Sequence, residues 1–294
     1  MKLFSLLPLI IVSTLLMFSA CSEHPPFSGD SFELVKQRGY GTLTVVYIPA
    51  EGFAYIDDRG KLTGVTIDIM EEFRDFLDVS MGLDITYEFV TADRFQQFYS
   101  DIKNSEGGVF GLGNVTITEA RKLELRFSPP YLTNIAVLIT NDSVSELSEM
   151  SEIGQQFAGM SGLAFEGTLH QDRIERLIAN YIPGTPVEFA GSNTQILNML
   201  SERDDLFAYI DIYNFWRAVE RGKPLRQHAA GDLASERFGI IMPLNSDWQP
   251  VITDFFERGV GFRTSSVYRS ILERHLGEEL TEKLESAREA VIGD

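Results

Sequence analysis

The chain has 294 residues, 44% of them hydrophobic, and a formal net charge of −18 at pH 7. This length is enough for one large core or for two lobes. The acidic composition argues against nucleic acid as a partner, because nucleic-acid binding requires a basic face.

The N-terminus has the pattern of a secretory signal. Lys2 gives a short basic start, residues 3–18 form an apolar run, and two small residues precede Cys21, the only cysteine in the chain. This order of features is typical of a signal peptide, and the run is too short for a comfortable membrane span. The pattern therefore predicts a signal peptide over residues 1–20 and a periplasmic or cell-surface location.

Cys21 is a candidate for lipidation. The four residues from Phe18 to Cys21 resemble the lipobox of bacterial lipoproteins, although that motif usually has Leu in place of Phe18. A lone cysteine directly after a signal has no partner for a disulfide. The sequence predicts acylation of Cys21 and a tether over residues 21–31. The alternative is an ordinary secreted protein with a buried or free thiol.

Beyond the tether, predicted strands and helices alternate. The predicted strands cover residues 42–48, 83–90, 109–115, 162–165, 187–189, 206–210 and 238–242. Helices lie between them, and the first long one places Ile69, Phe73, Phe76 and Leu77 on one apolar face. The alternation predicts an α/β fold.

Residues 113–121 carry the strongest local signal for a binding site. Thr118 is a suitable N-cap for a short helix, and Arg121 is then the third helical residue. Thr116 precedes the cap in extended chain. Free N–H groups, a helix N-terminus and a guanidinium would meet at one place, which suits a carboxylate. The alternative is a capped surface helix with a solvated arginine.

Several segments, in order along the chain, resemble the bacterial extracellular solute-binding proteins of family 3, the polar amino acid receptors of ABC importers. Residues 57–68 match "D-x-x-G-x-L-x-G-x-x-x-D", 116–121 match "T-I-T-x-x-R", 127–131 match "F-S-x-P-Y", and 165–168, 209–211 and 236–239 match later landmarks. The resemblance covers about residues 32–284. It implies a periplasmic binding protein type 2 fold, in which two α/β lobes close like a Venus flytrap about two hinge crossovers.

The resemblance also implies the limits of the lobes. Lobe 1 is expected to contain residues 32–132 and 238–294, and lobe 2 residues 133–237. The crossovers are expected near residues 133–134 and 237–239.

The resemblance assigns ligand-binding roles in both lobes. In lobe 1, Arg121 would clamp the α-carboxylate, Thr116 would add a hydroxyl and an N–H, and Asn114 would offer backbone contacts to the α-amino group. The planar guanidinium fits this role, because it matches a carboxylate in geometry and charge. In lobe 2, Asp211 would hold the ammonium; its alternative role is an N-cap for the helix that follows.

The turn formed by Gly167 and Thr168 corresponds to one whose N–H groups and hydroxyl meet the carboxylate from lobe 2. Its alternative role is also a simple helix cap. The chain departs from the family where an aromatic ring usually stacks on the ligand, since it has Ala50 and Glu51 in that region. If Glu51 faces the cleft, it would favour a ligand with a cationic or amide side chain.

The expected function is a lipid-anchored, monomeric solute-binding protein that captures an amino acid or related small carboxylate for an ABC permease by hinge closure. No metal site is expected, since the spacing of the four histidines does not suggest one. Enzyme activity and a cofactor are also not expected. One rival is a dehydratase-like enzyme on the same fold that uses Glu51 or Glu166. The other is a sensory ligand-binding module. Such modules carry an extra region, which is not expected here because the chain ends soon after the family's last helix.

Overall fold

The computed structural model describes residues 25–292, so the predicted signal peptide and Cys21 lie outside the described residues. Its strands are β1 (Ser28–Gly29), β2 (Tyr40–Tyr47), β3 (Tyr55–Ile56), β4 (Leu62–Thr63), β5 (Asp84–Thr91), β6 (Glu106–Gly107), β7 (Val109–Thr116), β8 (Leu125–Phe127), β9 (Leu132–Asn141), β10 (Ser161–Phe165), β11 (Val187–Ala190), β12 (Leu206–Asp211), β13 (Leu225–Gln227) and β14 (Leu233–Pro243). Its α-helices are α1 (Phe32–Arg38), α2 (Val65–Met81), α3 (Phe95–Lys103), α4 (Glu119–Lys122), α5 (Ile153–Gln156), α6 (Leu169–Tyr181), α7 (Asn193–Glu202), α8 (Ile212–Glu220), α9 (Gln249–Glu257), α10 (Ser266–Leu276) and α11 (Glu278–Ile292). This alternation confirms the predicted α/β class.

One continuous sheet runs through the described part of the chain. Its strand order is β11-β10-β12-β9-β14-β7-β2-β5, with β13 beside β9 and β8 beside β14. At the two ends the strands pair in parallel, β10 with β11 and β12, and β2 with β5 and β7. In the middle, β9 and β14 are antiparallel to each other and to their outer neighbours. Each parallel end, with the helices packed on it, forms one lobe.

The two crossovers between the lobes lie inside β9 and β14. The first part of β9 pairs with β14, and its second part pairs with β12 of the second lobe. The predicted crossover residues face each other, with Thr133 opposite Arg237 and Asn134 opposite Glu236. The fold is therefore two-lobed with two crossovers, as expected, although β9 is not among the predicted strands. The residue limits of the lobes stay a prediction.

Helix α2 packs its predicted apolar face into the first lobe. Ile69, Phe73 and Leu77 are fully buried, because spacings of four and eight residues bring them to one side of the helix. The ring centroid of Phe73 lies 6.1 Å from that of Phe110 and 6.3 Å from that of Trp248. Burying each of these side chains stabilises the lobe by about 1.5–3 kcal/mol. The predicted helix is confirmed.

Residues 28–31, the end of the predicted tether, belong to the first lobe. Strand β1 pairs with β6, and the carboxylate of Asp30 accepts the N–H of Thr42 at 2.9 Å. The carbonyl of Asp30 accepts the indole N–H of Trp248 at 2.9 Å. These polar groups complete hydrogen bonds of the first lobe, and the extent of the tether stays a prediction.

His228 is fully buried in the second lobe. Its Nδ1 accepts the backbone N–H of Leu147 at 3.1 Å, and its Nε2 lies 2.8 Å from the hydroxyl oxygen of Thr140. An accepting Nδ1 carries no proton, so the proton is on Nε2 and the imidazole is neutral. Burial, with a smaller contribution from the charge of Arg226, lowers the pKa of His228 to about 4.

We expect His228 to make the free energy of unfolding depend on pH. The unfolded chain takes up a proton here near pH 6.5, whereas the folded chain does so only near pH 4, so stability is lost as the pH falls through this window. The variant His228→Gln lacks this titration. The stability advantage of the wild type over the variant should therefore shrink by about 3 kcal/mol between about pH 7.5 and about pH 4. Urea denaturation across this range measures it, and a constant difference would contradict the expectation.

Candidate functional site

A cleft with a cavity volume of about 390 Å³ lies between the two lobes. This volume is in the range typical of small-molecule sites. The cavity is lined by six of the seven predicted site residues, namely Glu51, Asn114, Thr116, Arg121, Thr168 and Asp211. Gly167 is not among the lining residues. The structure thus brings together residues that are up to 160 positions apart in the sequence, from Glu51 to Asp211.

Arg121 is held in place by its own helix and by two aromatic rings. The predicted cap is present, since the Thr118 hydroxyl accepts the N–H of Arg121 at 3.2 Å. The Nη1 of Arg121 donates to the carbonyl of Thr116 at 3.1 Å. The centre of the guanidinium lies 5.7 Å from the ring centroid of Phe95 and 5.6 Å from that of Tyr99, within range of cation–π attraction. The sequence analysis identified neither ring as a partner of Arg121.

The charge of Arg121 has no carboxylate partner within 4.0 Å among the described residues. Burial lowers the pKa of Arg121, and the more distant charges of Asp172 and Glu124 act in the opposite direction. A cation that is taken out of water without a partner is costly unless a ligand neutralises it. This arrangement favours an anion in the cleft.

Asp211 ends strand β12 and is 8% exposed. Its Oδ1 accepts the amide of Asn134 at 2.6 Å and lies 3.2 Å from Nε2 of His170. Its Oδ2 has no hydrogen-bond partner among the described residues. One oxygen is therefore fixed by the protein, and the other is available to a donor in the cavity. The structure has no side-chain cap by Asp211 on helix α8, the alternative role for this residue.

Asp211 is one of five side chains that form a closed ring of polar contacts. From Asp211 the ring passes through His170, Arg173, Glu236 and Asn134, and returns to Asp211. Arg173 forms an ion pair with Glu236, and the amide of Asn134 donates to Glu236 at 2.9 Å. The ring joins helix α6 to both crossover strands.

The ring fixes the tautomer of His170. The Nδ1 of His170 lies 3.0 Å from Nη1 of Arg173, and a guanidinium can only donate. Nδ1 is therefore the acceptor, and Nε2–H donates to Asp211. His170 and Arg173 line the cavity, yet the sequence analysis missed both. The available signal was that His170 and Arg173 are three residues apart in the helix that Thr168 caps. This spacing places both side chains on one helix face.

Asn114 connects the two lobes across the cleft. It accepts from the hydroxyl of Tyr131 at 2.6 Å and donates to the hydroxyl oxygen of Tyr213 at 2.7 Å. Its φ is +51°, the one positive value of a non-glycine residue in the described chain. Such a conformation is unfavourable for most residues but is tolerated by Asn. The two hydrogen bonds with Tyr131 and Tyr213 occupy the side chain of Asn114. A contact between its backbone and the ligand stays a prediction.

Two aromatic rings border the cavity near Glu51, although neither stands where the family usually has its stacking ring. Phe53 and Tyr213 both line the cavity, with ring centroids 4.3 Å apart. Phe53 lies two residues after Glu51, and Tyr213 comes from the other lobe. The cleft therefore has an apolar wall that the local sequence pattern did not reveal.

Glu51 lines the cavity, but its carboxylate is occupied. It forms ion pairs with Arg217, at 2.9 Å, and with Arg221, both on the second lobe. The suggestion that Glu51 favours a cationic ligand is therefore weakened, because two arginines already neutralise this carboxylate. Its contacts instead link the lobes.

The turn at Gly167 and Thr168 forms a helix cap. The N–H of Gly167 donates to the side chain of Gln171 at 2.9 Å. The Thr168 hydroxyl donates to the carbonyl of Phe165 at 2.9 Å and accepts the N–H of His170 at 3.2 Å. These groups are satisfied within helix α6 and its turn, which is the alternative that the sequence analysis left open.

The described histidines do not form a metal centre. Among residues 25–292, no group of three or more His, Cys, Asp or Glu side chains is arranged to hold a metal ion. His275 instead lies 2.8 Å from a carboxylate oxygen of Asp68. Within the same range, no helix has both the length and the apolar composition of a membrane span.

Among the solved structures that resemble this chain are two-lobed amino acid-binding proteins. An ancestral arginine-binding protein bound to arginine has a TM-score of 0.63 and 19% identity, covering 80% of this chain and 98% of that one. The arginine-, lysine-, histidine-binding protein ArtJ from Geobacillus stearothermophilus has a TM-score of 0.63 and 19% identity, covering 81% and 96%. At these identities the likeness confirms the fold.

Sequence comparison adds a curated relative and a family. Membrane-bound lytic murein transglycosylase F from Pseudomonas fluorescens strain Pf-5 is 26% identical over 198 residues, or 67% of this chain. The match spans 37% of that relative's length. Residues 43–282 match the model of bacterial extracellular solute-binding proteins, family 3. Because this match covers most of the chain, the protein belongs to family 3 of the bacterial extracellular solute-binding proteins.

Proposed function

We propose that this solute-binding protein captures an amino acid, or a related small carboxylate, in the cleft between its lobes. One observation carries the proposal: the guanidinium of Arg121, which has no carboxylate partner among residues 25–292, and the available Oδ2 of Asp211 border the same cavity. Opposite charges placed in this way match the carboxylate and ammonium of an amino acid. Thr116 lies beside Arg121 and would add a hydroxyl.

Binding would proceed by hinge closure. The ligand would first meet Arg121 and Thr116 on the first lobe, and Asp211 of the second lobe would then engage it. Contacts made only in the closed form supply the differential affinity that drives closure. The cross-lobe contacts of Glu51 with Arg217, and of Asn114 with Tyr213, support this view because closure brings these partners together.

A thermal-shift screen tests the proposed function directly. The protein is prepared without residues 1–20, the predicted signal peptide. The compounds are the standard amino acids, small organic acids and short peptides. A ligand that binds only the native state raises the melting temperature. We expect at least one amino acid or small carboxylate to do so. A response confined to compounds without a carboxylate would refute the proposal.

We further propose that the protein acts outside the cytoplasm, anchored through acylated Cys21, and passes its ligand to an ABC permease. The family assignment supports the location, and the signal pattern with its lipobox-like end supports the anchor. The proposed lobe limits are those of the sequence analysis, residues 32–132 with 238–294 and residues 133–237. The crossing of the chain inside β9 and β14 supports them.

A second candidate function is that of a ligand-sensing module for a cell-wall enzyme. The observation that favours it is the match to membrane-bound lytic murein transglycosylases, of which this chain spans about a third of the length. A binding cleft and a two-state hinge would serve sensing as well as import. Co-purification from membranes with a permease favours import, and co-purification with a murein enzyme favours sensing.

The ion pairs of Glu51 predict how easily the cleft opens. The variant Glu51→Gln loses the charge that attracts Arg217 and Arg221 across the cleft. Because these side chains are partly exposed, we expect the closed form to lose about 1 kcal/mol relative to the open form. Small-angle X-ray scattering without ligand should show a larger radius of gyration for Glu51→Gln than for the wild type. The exposed variant Glu33→Gln is the control, and equal radii for both variants would contradict the expectation.

A further inference from the structure

The charge of the cleft is opposite to that of the whole chain. Although the chain carries −18, more cations than carboxylates line the cavity among the described residues. The cations are Arg121, Arg173, Arg217, Arg221 and Lys223, and the carboxylates are Glu51, Asp93 and Asp211. A lining of this sign attracts anions into the cleft.

The three lining carboxylates offer little to a cationic ligand side chain. Glu51 is neutralised by two arginines. Asp211 has a single available oxygen, which the ligand ammonium would take. Asp93 is exposed, where solvent and salt screen its charge. No lining carboxylate is therefore left to pair with a second positive charge inside the cavity.

Lys223, between α8 and β13, is a cation of the lining without a carboxylate partner. Its Nζ donates to the side-chain oxygen of Asn198 at 2.8 Å, and no described carboxylate lies within 4.0 Å. The residue is half-buried. Asn198 also lines the cavity, so the pair presents an ammonium and an amide to the ligand from one wall. An ammonium has three donors, and Asn198 uses one of them.

We propose that the ligand carries a second negative charge, as in an amino acid with a side-chain carboxylate or a small dicarboxylate, and that Lys223 selects it. This inference rests on the proposed function, because Arg121 takes the first carboxylate. Lys223 then pairs with the second carboxylate. The assignment reverses the preference that the sequence pattern around Glu51 indicated.

Calorimetry with four probes tests the inference: L-glutamate, L-glutamine, L-arginine and glutarate. The wild type should bind L-glutamate about tenfold more tightly than L-glutamine, because a charge-assisted hydrogen bond is stronger than a neutral one. L-Arginine should bind more weakly than either. Glutarate binding as tightly as L-glutamate would identify a dicarboxylate ligand, and weaker glutarate binding would identify an amino acid.

Lys223→Gln and Lys36→Gln form a matched pair of variants. Lys36 lies exposed on α1, away from the cleft, so both variants lose one positive charge but only the first changes the cavity. The ratio of L-glutamate to L-glutamine affinity should fall to near one in Lys223→Gln and stay unchanged in Lys36→Gln. A merely structural role for Lys223 would weaken both ligands equally and leave the ratio intact.

Two outcomes overturn the inference. L-Arginine binding most tightly, or an unchanged affinity ratio in Lys223→Gln, would show that the second charge is not recognised, while the proposed amino acid site would stand. If none of the four probes binds and the broader screen also finds no carboxylate ligand, the proposed function fails together with the inference.

Discussion

Replacing Arg121 with alanine should weaken binding of every amino acid that the wild type captures by about 2–5 kcal/mol. The guanidinium lies against the rings of Phe95 and Tyr99 and donates to the carbonyl of Thr116. A fixed cation costs little further ordering when a carboxylate arrives. Without it, the carboxylate would enter the cleft and find no comparable partner on the first lobe.

The neighbouring residue provides the control for this prediction. Lys122→Ala removes the same charge from the same helix, but Lys122 forms an exposed ion pair with Glu119. Calorimetry should show a near-normal affinity for Lys122→Ala and a severe loss for Arg121→Ala. Circular dichroism melting checks that both variants fold. Equal affinity of Arg121→Ala and wild type for their best ligand would remove the central support for the proposed function.

The buried pair of Arg173 and Glu236 predicts the largest effect on stability. Their side chains are only 12% and 7% exposed. In Glu236→Gln the guanidinium of Arg173 loses its ion-pair partner in a site that water barely reaches. Removing one member of a buried pair costs about 3–5 kcal/mol, because the other charge is left uncompensated. Urea denaturation should show this decrease in the free energy of unfolding.

A second glutamate–arginine pair serves as the control. Glu188 and Arg203 are joined by two hydrogen bonds of 2.8 Å, but their side chains are 36% and 37% exposed. For Glu188→Gln we expect a loss below about 1 kcal/mol, since water solvates the remaining charge. Similar losses in the two variants would mean that the ring around Asp211 does not depend on its buried ion pair.

Local signals in the sequence predicted part of the site. The Thr118 cap and the position of Arg121 follow from a few neighbouring residues, because capping depends on spacing along the chain. The apolar face of α2 was predictable for the same reason. Asp211 was assigned through the resemblance to the family rather than from a local signal, and it lines the cavity in the structure.

The partners of these residues were not predictable, because they are distant in sequence. Asn134 and Glu236 are 102 positions apart, and Glu51 and Arg217 are 166 positions apart. Such pairs depend on how the lobes meet, which no local pattern records. The sequence analysis therefore named Glu51 as a candidate but did not identify Arg217 and Arg221 as its partners.

Strand β9 was missed for a related reason. It contains Thr133 and Asn134, polar residues that usually mark exposed chain, and both are buried here. They are accommodated because the strand passes between the lobes, where Asn134 donates to Asp211 and Glu236. A polar pair inside an apolar run was thus a sign of a buried hydrogen-bonded crossing rather than of a loop.

The paired crossover strands also determine which motion the molecule can make. Strand β14 has register irregularities between Ala234 and Glu236 and between Gly239 and Ile241, on either side of the crossing. Irregularities of this kind bend and twist a strand without breaking its ladder. The lobes would consequently rotate about a short, hydrogen-bonded ribbon rather than swing on loose linkers. Amide protons of that ribbon would exchange slowly with deuterium in the apo and the ligand-bound states alike, while those at the cleft rim would report closure.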